Sequence, residues 1–492
     1  MVYQICGMDG TSSGLIAFAQ TATRLVEQFI PTMPSLLNVS TEDEATTSNP
    51  YFLLPISWLP PEIMIIIFQF NLGDTAPGKR AITPLYLGSI CKEWRHLVWS
   101  TPLLWRDIAM HVIATDSQVA LLRDWLLRAG TTPLDITLKE SFGGSSKDLV
   151  FLLRRVLSTL VTHSAYWSSF SCASLMFECY DVFRDVHFPI LKTIYLRAYL
   201  SSKFITIFPL YDHPPPSAMF VRSPQLTSLL MDRYPFDEAI TLSNQITTFG
   251  ICKIGARDLL TILQSLKRLE SAQFPNVEHD DLPSPHPIHI VSNHTLSSLR
   301  IGINNEEVPQ RSVLDHIKLP SLVDLRIQPP YSRLSSITSF ITRSGCSLKS
   351  LDIKIMLSEE EDLVATFAAV PTLVKLNLCF ETSSDFTHMK PEVINALNPT
   401  YRGWQPLLPN LTSFGYLDHI PDDCQLPFAQ LVQQRWSLPE ANSGNTSPAV
   451  ARLQSVKFVS KECAPELREL LLELSSQGMQ VEFEETLRPK PS

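Results

Sequence analysis

The sequence predicts an α/β fold in which a small three-helix module is followed by a solenoid, a horseshoe of short parallel strands with helices on the convex side. Three observations support this prediction. Helix-start signals cluster between residues 55 and 111, and after residue 185 one short apolar pattern returns repeatedly. Proline is in excess, with 37 among 492 residues against a usual share of about 5%, whereas the 17 glycines fall below their usual share of about 7%. Such a chain needs many proline breaks and few glycine turns.

The overall composition excludes several classes of protein. The formal net charge is −9 and hydrophobic residues make up 45% of the chain, a balance that favours a large folded core. No long basic stretch is available to phosphate backbones, so we expect no nucleic-acid partner. No run of about 18 uncharged apolar residues occurs, so we expect no membrane partner. The first residues lack the basic region of a secretory signal, and the nine cysteines include no C-x-x-C pair, which indicates reduced thiols and a cytoplasmic and/or nuclear location.

The chain divides into five predicted segments. Residues 1–30 have a helical apolar pattern, and residues 31–54 are a polar linker with no apolar period. The three-helix module is predicted at 55–111, and residues 112–184 are predicted as a helical connection with the first repeat elements. The solenoid is predicted at 185–485, with insertions at 202–222, 275–292, 380–408 and 418–450.

The first helix of the module is predicted to begin at Leu59-Pro60-Pro61-Glu62, because proline suits a first helical turn and a glutamate there complements the helix dipole. Six apolar residues follow in succession, Ile63–Phe68, so this helix is apolar on every side. Three short helices are too small a domain to cover it. Two alternatives remain open: a partner protein covers the helix, or the rest of the chain buries it.

The second helix is predicted to begin at Thr83-Pro84, with a threonine cap and a first-turn proline. Its apolar residues recur at helical spacing, at Leu87, Ile90, Cys91, Trp94 and Leu97. Ser100-Thr101-Pro102 then begins a short third segment.

This module resembles the F-box, the three-helix motif that docks on the Skp adaptor of cullin-RING ubiquitin ligases. The matching residues are Leu59-Pro60-x-Glu62-Ile63, Ile67-Phe68, Ile90-Cys91-Lys92-x-Trp94-Arg95-x-Leu97 and Pro102-x-Leu104-Trp105. The interhelical stretch NLGDTAPGKRAI is longer than in the family. The resemblance implies an adaptor-binding site made of Leu59, Pro60, Ile63, Ile67, Phe68, Ile90, Cys91, Trp94, Leu104 and Trp105. For the two tryptophans, packing that holds the three helices together is the alternative role.

The second half of the chain carries an internal repeat of the form apolar-x-x-apolar-x-apolar. Its ten copies begin at Leu191, Leu226, Ile246, Leu269, Leu296, Leu322, Leu348, Leu373, Leu411 and Leu453. Six consecutive spacings between these first residues fall between 20 and 27 residues. A repeat of this length is typical of a solenoid of short parallel strands.

The segments between the copies predict the crossovers that parallel strands require. Helical patterns occur at 257–263, 334–341, 362–367 and 428–432, and a final helix and strand are predicted at 467–474 and 480–483. Proline precedes several strands, at Pro320, Pro371 and Pro409. A proline there ends the helix and enters the strand where no ladder donor is needed.

These repeats resemble the leucine-rich-repeat class of F-box proteins, and the stretches WLLRAGTTPLDITL at 125–138 and FITRSGCSLKSLDI at 340–353 are similar to its large fungal group. The Asn or Cys ladder that follows each strand in such repeats is almost missing, since Asn304 alone stands at the expected offset.

Residues between the apolar positions of each strand are predicted to face the concave side, because side chains alternate along a strand. The middle residue of each copy would form one row: Tyr195, Leu230, Gly250, Gln273, Arg300, Arg326, Asp352, Asn377, Gly415 and Lys457. The candidate target-binding residues in this row are Tyr195, Arg300, Arg326, Asp352 and Asn377. Arginine suits carboxylate or phosphate recognition. The alternative is an ordinary solvated face on which Arg326 and Asp352 pair across strands.

The sequence contains no motif for catalysis or for a cofactor. Phosphate-binding glycine loops, nucleophile elbows and the H-E-x-x-H pattern are all missing. The nearest approach to a metal cluster is His286 with His289 and His294, in a proline-rich stretch that favours an insertion loop over a metal site. We therefore expect no metal, no cofactor and no catalysis by the chain itself.

The two resemblances together imply a substrate-recognition subunit of a Skp–cullin–F-box ubiquitin ligase. Its F-box would bind the Skp adaptor, and through it a cullin-RING ligase, while the repeats would hold a target protein. The alternative is a non-catalytic repeat scaffold that binds the Skp adaptor without directing ubiquitylation. The identity of the target does not follow from the sequence.

Overall fold

A computed structural model describes most of the chain from residue 59 onward. The described residues are 59–72, 83–112, 115–139, 146–198, 217–232, 234, 236, 240, 244–278, 290–303, 312–328, 334–355, 360–380, 391–399, 407–417, 420, 422–438, 450–459 and 464–484. The predicted helix at 1–30 and the predicted linker at 31–54 lie outside them.

The described residues contain helices that are numbered here in chain order. The α-helices are α1 Pro61–Asn71, α2 Pro84–Ile90, α3 Lys92–Ser100, α4 Asp116–Ala129, α5 Ser146–Leu160, α6 Ser217–Val221, α7 Ala256–Ser265, α8 Leu334–Ser344, α9 Glu360–Ala368, α10 Pro391–Ala396, α11 Asp422–Trp436 and α12 Pro465–Ser476. Short 3₁₀ helices occur at Pro102–Trp105, Val161–Tyr166, Phe177–Phe183 and Val313–His316.

The strands are short, and most of them are separated by a helix; among the described elements, β5, β6 and β7 follow one another directly, as do β8, β9 and β10, and β11 and β12. They are β1 Asp107–His111, β2 Leu134–Lys139, β3 Trp167–Leu175, β4 Thr193–Ala198, β5 Ser228–Asp232, β6 Thr248–Ile251, β7 Lys253–Gly255, β8 Ser271–Glu278, β9 Val291–Ser292, β10 Ser298–Ile303, β11 Ile317–Lys318, β12 Asp324–Gln328, β13 Ser350–Ile355, β14 Lys375–Phe380, β15 Ser413–Tyr416, β16 Ser455–Val459 and β17 Gln480–Glu484.

Within the described residues, fourteen strands form one continuous parallel sheet in the order β1-β2-β3-β4-β5-β6-β8-β10-β12-β13-β14-β15-β16-β17. The spatial order is therefore the chain order, as in a solenoid in which each unit contacts its neighbours. β7 also pairs with β8, and β9 and β11 form a separate two-stranded sheet. The predicted α/β class is confirmed.

The helical patterns between the repeats are also confirmed. The predicted segments 257–263, 334–341, 362–367 and 428–432 lie within α7, α8, α9 and α11. The final helix and strand are α12 and β17.

The repeated apolar triplets form the core of this sheet. All ten predicted copies lie at strands, and the first residue of every copy is 0% exposed. The second and third apolar residues of the copies are at most 2% exposed. Burying one such side chain contributes roughly 1.5–3 kcal/mol, so the repeat is the main source of cohesion along the array.

Nine of these ten strands, all except β4, begin with the same pair of backbone hydrogen bonds to the unit before them. The N–H groups of Ser297 and Ser298 both donate to the carbonyl oxygen of Glu270, at 2.9 and 3.0 Å. Val323 and Asp324 donate in the same way to Ser297, at 2.8 and 2.9 Å. Equivalent pairs of bonds occur at the starts of β5, β6, β8, β13, β14, β15 and β16. Successive units therefore enter the sheet with one geometry.

The proline surplus has its physical reason at these strand entries. The N–H of Leu322 donates to the carbonyl of Leu319 at 3.2 Å, and the N–H of Leu373 donates to that of Val370 at 3.1 Å. Each bond closes a four-residue turn whose second residue is proline, where the fixed φ of proline suits the turn. The prolines placed in this way are Pro189, Pro224, Pro320, Pro371 and Pro409.

The two similar stretches at 125–138 and 340–353 adopt the same local structure. In both, a helix ends at a glycine with positive φ, 59° at Gly130 and 62° at Gly345. The glycine N–H donates back to the helix at 3.0 Å in both cases, to the carbonyls of Leu126 and Ile341. A residue with a side chain is strained at such φ values, so glycine is reserved for these helix ends.

The predicted helix starts of the module are confirmed. α1 begins at Pro61, directly after Pro60. α2 begins at Pro84, and the hydroxyl of Thr83 accepts a hydrogen bond from the N–H of Tyr86 at 3.2 Å.

The second predicted helix is, however, two helices, α2 and α3, because the chain is extended at Cys91 (φ −149°, ψ 174°). Cys91 caps α3, since its Sγ accepts from the N–H of Trp94 at 3.4 Å. Nε of Arg95 donates to the carbonyl of Gly88 at 2.8 Å and satisfies one acceptor freed by the break. α2 and α3 pack closely at Gly88, where a Cβ would lie 1.6 Å from Cζ3 of Trp99.

The sheet also begins earlier than residue 185, where the sequence predicts the solenoid. β1 lies at the end of the predicted module, and β2 and β3 lie at 112–184, the segment predicted as a helical connection with the first repeat elements. The first apolar position of these units holds Trp105 before β1 and Trp167 at β3, whereas the pattern expects an aliphatic residue. β8 extends to Glu278, inside the insertion predicted at 275–292.

Candidate protein interaction surfaces

The three-helix module exposes an unusual share of the chain's large apolar side chains. Of the twelve that are exposed among the described residues, five lie between residues 59 and 105. They are Ile66 (40% exposed), Phe70 (57%), Tyr86 (38%), Ile90 (39%) and Leu103 (40%). We refer to these five residues as the module surface. Such a concentration of apolar side chains is typical of a site that another protein covers.

The predicted adaptor-binding residues fall into two groups. Pro60 and Ile90 are exposed, and Leu59, Ile63 and Cys91 are half-buried. These five residues lie at the outside of the module and can contact a partner directly.

The other five predicted residues are buried inside the module; this corrects the expectation of an outward-facing side chain for Ile67, Phe68 and Leu104, and for Trp94 and Trp105 it agrees with the alternative role of packing. Ile67, Phe68, Trp94, Leu104 and Trp105 are between 0% and 8% exposed. The rings of Phe68 and Trp94 lie 4.8 Å apart between their centroids. The physical reason is that an apolar helix has only one face turned to the outside, and Ile67 and Phe68 lie on the other.

Four residues of the module surface were not identified from the sequence: Ile66, Phe70, Tyr86 and Leu103. A signal for two of them exists, since Ile63, Ile66 and Phe70 recur at the i, i+3, i+7 spacing of one helical stripe. The uninterrupted apolar run hides that stripe, because every face of the helix has a similar composition.

A cluster of tryptophans joins the module to the sheet. The rings of Trp99 and Trp105 lie 5.6 Å apart, and those of Trp105 and Trp125, on α4, lie 5.0 Å apart, both edge to face. Nε1 of Trp125 donates to the carbonyl of Trp105 at 2.7 Å. The guanidinium of Arg128 lies 4.6 Å from the Trp99 ring and 4.9 Å from the Trp105 ring, an arrangement that favours cation–π attraction. The junction is therefore packed and hydrogen-bonded.

The second surface is the open face of the sheet, which we define as the face opposite to the buried strand side chains. All ten residues of the predicted middle row lie in one register, and three further residues precede them and one follows. The complete row is Ala109, Thr137, Ser171, Tyr195, Leu230, Gly250, Gln273, Arg300, Arg326, Asp352, Asn377, Gly415, Lys457 and Glu482. This row is called the middle row below.

The middle row changes character along the sheet. From β1 to β8 its residues are uncharged, and from β10 onward five of its seven residues are charged. Two glycines leave room for their neighbours, because a Cβ on Gly250 would lie 2.6 Å from Cδ2 of Leu230 and one on Gly415 would lie 2.4 Å from Oδ1 of Asn377. Leu230 and Asn377 thus lie over glycines.

Ion pairs join neighbouring strands on this face, and in each of them the cation comes first in the chain. The pairs are Arg106–Asp135 at 2.7 Å, Arg197–Asp232 at 2.9 Å, Lys253–Glu278 at 2.5 Å, Arg326–Asp352 at 3.0 Å and Lys457–Glu482 at 3.2 Å. The predicted cross-strand pairing of Arg326 with Asp352 is confirmed. Exposed pairs of this kind contribute only about 0–1 kcal/mol each, so their main effect is to neutralise charge on the face.

Arg300 differs from these paired cations. Its neighbours in the middle row are Gln273 and Arg326, and no ion pair or hydrogen bond of its guanidinium is found within the described residues. Its Nε atom is buried without an acceptor, whereas the Nη atoms are not. A guanidinium with no acceptor is ready to receive one from outside the chain.

Buried polar residues behind the sheet hold loops in place. Arg435, 0% exposed, donates from Nε and Nη2 to the carbonyl of Leu397, at 3.0 and 2.8 Å. Its Nη2 also donates to the carbonyl of Leu407 at 2.7 Å, and Nη1 donates to that of Leu408 at 3.1 Å. Burial lowers the pKa of the Arg435 guanidinium to about 10, and the side chain has a structural role.

Asn293 has a similar structural role at the end of α7. Its Nδ2 donates to the carbonyls of Leu263 and Leu266, both at 3.1 Å, and its Oδ1 accepts from the N–H of Thr295 and of Leu296. This asparagine precedes its strand, whereas Asn304, which the repeat pattern singled out, lies outside the described residues.

The described part of the chain contains no group of three or more His, Cys, Asp or Glu residues that could hold a metal ion. His286 and His289, the nearest candidates in the sequence, lie outside the described residues. None of the described helices has the length and apolarity needed to cross a membrane. No protein-family model matches the chain, and no curated protein is similar to it.

Proposed function

We propose that this chain is the substrate-recognition subunit of a Skp–cullin–F-box ubiquitin ligase. In this proposal the module surface binds the Skp adaptor, and the open face of the sheet binds a target protein. The observation that carries the proposal is the module surface, which lies in the three-helix module that resembles an F-box and shares Ile90 with the adaptor-binding residues implied by that resemblance. Half-buried Leu59 and Ile63 and exposed Pro60 extend that surface.

The energetics of the module surface support a protein partner. Covering five large apolar side chains that are 38% to 57% exposed removes apolar area from water, at about 25 cal/mol per Å². Aromatic residues such as Phe70 and Tyr86 are enriched among the side chains that dominate interface energies. The described residues leave these five side chains exposed, and in this proposal the adaptor covers them.

The proposed mechanism is proximity. The junction of Trp99, Trp105 and Trp125 packs the three-helix module against α4, next to the start of the sheet. A target on the open face would be held at a defined place relative to the ligase, which raises the effective concentration of its lysines. The chain itself supplies no reacting group.

The adaptor assay tests the proposal directly. The full chain should retain the purified Skp adaptor in a pull-down, and the double variant Ile66→Ala/Phe70→Ala should weaken this binding at least tenfold. The matched control is Leu426→Ala/Leu472→Ala, which removes two side chains of similar exposure (66% and 54%) from α11 and α12. Absence of adaptor binding by the unaltered chain would refute the proposal.

A second pull-down, with the purified adaptor and a purified cullin both present, separates the ligase subunit from the adaptor-binding scaffold. A ligase subunit should co-purify with the adaptor and a cullin together, and should support ubiquitylation of a bound protein. Retention of the adaptor with no cullin under the same conditions would favour the scaffold.

A further inference from the structure

We infer that Arg300 is the anchor of a binding site for an acidic, extended segment of a target protein, and that a carboxylate of this segment pairs with its guanidinium. The inference rests on the proposed function, because it places the target on the open face. It adds the chemistry of the target to that proposal.

Arg300 has no ion pair within the described residues, unlike three other cations of the open face. Arg197, Arg326 and Lys457 each have an acidic residue on the next strand. The residue next to Arg300 on that side is another cation, Arg326. Strands lie about 4.8 Å apart, so the two arginines are cross-strand neighbours, whereas Arg326 with Asp352 and Lys457 with Glu482 join opposite charges in the same row.

The charges around Arg300 favour a carboxylate over a phosphate as its partner. Asp352 already pairs with Arg326 at 3.0 Å, and Oδ2 of Asp324 accepts from the Ser298 hydroxyl at 3.1 Å. Asp324 is hydrogen-bonded only to this neutral hydroxyl and keeps its negative charge, so an anion that pairs with Arg300 lies close to two carboxylates, while Arg300 itself has no ion pair within the described residues. A carboxylate carries one negative charge and matches the single positive charge of Arg300, whereas a phosphate group carries about −1.5 to −2 and would approach two aspartates with charge to spare. We therefore choose a carboxylate over a phosphate.

The distance between Leu230 and Arg300 sets the number of residues between an apolar and an acidic residue of the target segment. Leu230 lies over Gly250 on the open face, next to Tyr195 in the middle row, and forms an apolar place there. Three strand steps separate Leu230 from Arg300, about 14 Å at 4.8 Å a step. An extended peptide rises about 3.4 Å per residue, so an apolar residue and an acidic residue about four positions apart would reach both places.

The binding probe is a fluorescein-labelled, serine-based peptide of ten residues with one leucine and, four positions later, two successive glutamates. Fluorescence anisotropy with the full chain should show saturable binding that weakens as salt is raised. The same peptide with glutamine in place of glutamate should bind at least tenfold more weakly. Equal binding of the two peptides would overturn the inference, and so would binding of a phosphoserine version alone.

A charge exchange tests the role of Arg300. The variant Arg300→Glu should lose at least tenfold in affinity for the glutamate peptide and should instead bind a peptide with lysine in the two positions. Arg257→Glu, at an exposed arginine of α7, is the matched control and should leave the affinity unchanged. If Arg300→Glu binds the glutamate peptide as the unaltered chain does, Arg300 is not the anchor.

The outcome can be separated from that of the proposed function. Arg300→Glu should still bind the Skp adaptor, since Arg300 lies on β10 and the module surface lies between residues 59 and 105. Loss of peptide binding with adaptor binding intact tests the open face alone. A chain that binds the glutamate peptide but never the adaptor would retain this inference as a binding property and refute the ligase proposal.

Discussion

At the scale of single residues, the side chains that hold the structure together are distinct from those that we propose bind partners. Arg435 and Asn293 are buried, and each binds several backbone groups of loops that end helices. Phe70 and Arg300 have no such partners among the described residues, and their side chains reach the outside of the module and of the open face. Mutations of the two kinds should therefore have different effects: loss of stability for the first and loss of binding for the second.

Arg435 gives a sharp prediction for stability. Arg435→Met keeps the length of the side chain but leaves the carbonyl oxygens of Leu397 and Leu407 without the Arg435 donor, whereas the carbonyl of Leu408 keeps the N–H of Leu411. A buried polar group without a partner costs about 1–3 kcal/mol, so we expect a loss of about 2–5 kcal/mol in the free energy of unfolding, measured in urea. Arg257→Met, at an exposed position, should change it by less than about 0.5 kcal/mol. An Arg435→Met protein as stable as the control would show that water replaces the guanidinium.

At the scale of single elements, the helix-to-strand junction is the recurring unit of the chain. A proline turn or a glycine with positive φ ends the helix, and a pair of N–H groups then donates to one carbonyl of the preceding unit. Several entries add a hydroxyl bond to that preceding unit, as when Oγ of Ser297 donates to the carbonyl of Glu270 at 3.0 Å. These bonds connect neighbouring units at the start of each of these strands.

Glycine at these junctions can be tested by adding one methyl group. Gly345→Ala creates no close contact, since nothing lies within 4 Å of the added Cβ, but it forces alanine to a φ of 62°. We expect a loss of about 1–2 kcal/mol of folding stability, measured by thermal or urea unfolding. Gly255→Ala is the matched control, because its φ is −70° and its nearest neighbour, Oδ2 of Asp258, is 3.6 Å away. Equal effects of the two substitutions would contradict the role of φ.

The elements that sequence reasoning found are those with a strict local period. The ten apolar triplets needed only their spacing, and each became a buried strand. The apolar pattern did not identify β1 and β3, because tryptophan takes the place of leucine at Trp105 and Trp167. It did not identify the break at Cys91, because a cysteine that caps a helix also fits the apolar spacing of a continuous helix. The exposed face of α1 could not be found, since the composition of its six apolar residues has no polar side to mark the outside.

At the scale of the whole molecule, the tryptophan junction determines whether module and sheet move together. Trp125 on α4 contacts the ring of Trp105 and donates to its carbonyl, and Arg128 covers the rings of Trp99 and Trp105. Aromatic pairs of this kind contribute roughly 0.5–1.5 kcal/mol beyond their burial. The module is small and depends on these contacts for part of its stability.

Removing one ring should therefore loosen the module and spare the rest. In Trp125→Ala we expect backbone amides of α1, α2 and α3 to exchange hydrogen at least tenfold faster, while amides of β10 to β16 keep their rates, because each unit of such an array contacts only its neighbours. Trp436→Ala, at the opposite end of the chain, should leave the exchange of α1 to α3 unaltered. Uniformly faster exchange along the whole chain would contradict an independent module.

The middle row extends along the whole sheet, from Ala109 on β1 to Glu482 on β17. Its fourteen residues stay in register although the spacing of the copies in the sequence varies from 20 to 42 residues, because the extra residues leave the sheet between strands. With thirteen steps of about 4.8 Å, the row measures roughly 60 Å along the sheet. The residues along this length differ, because those from β1 to β8 are uncharged and most of those from β10 to β17 are charged. An extended segment of the proposed target would need about 18 residues at 3.4 Å each to reach from β1 to β17. A shorter segment would contact either the uncharged or the charged part of the middle row.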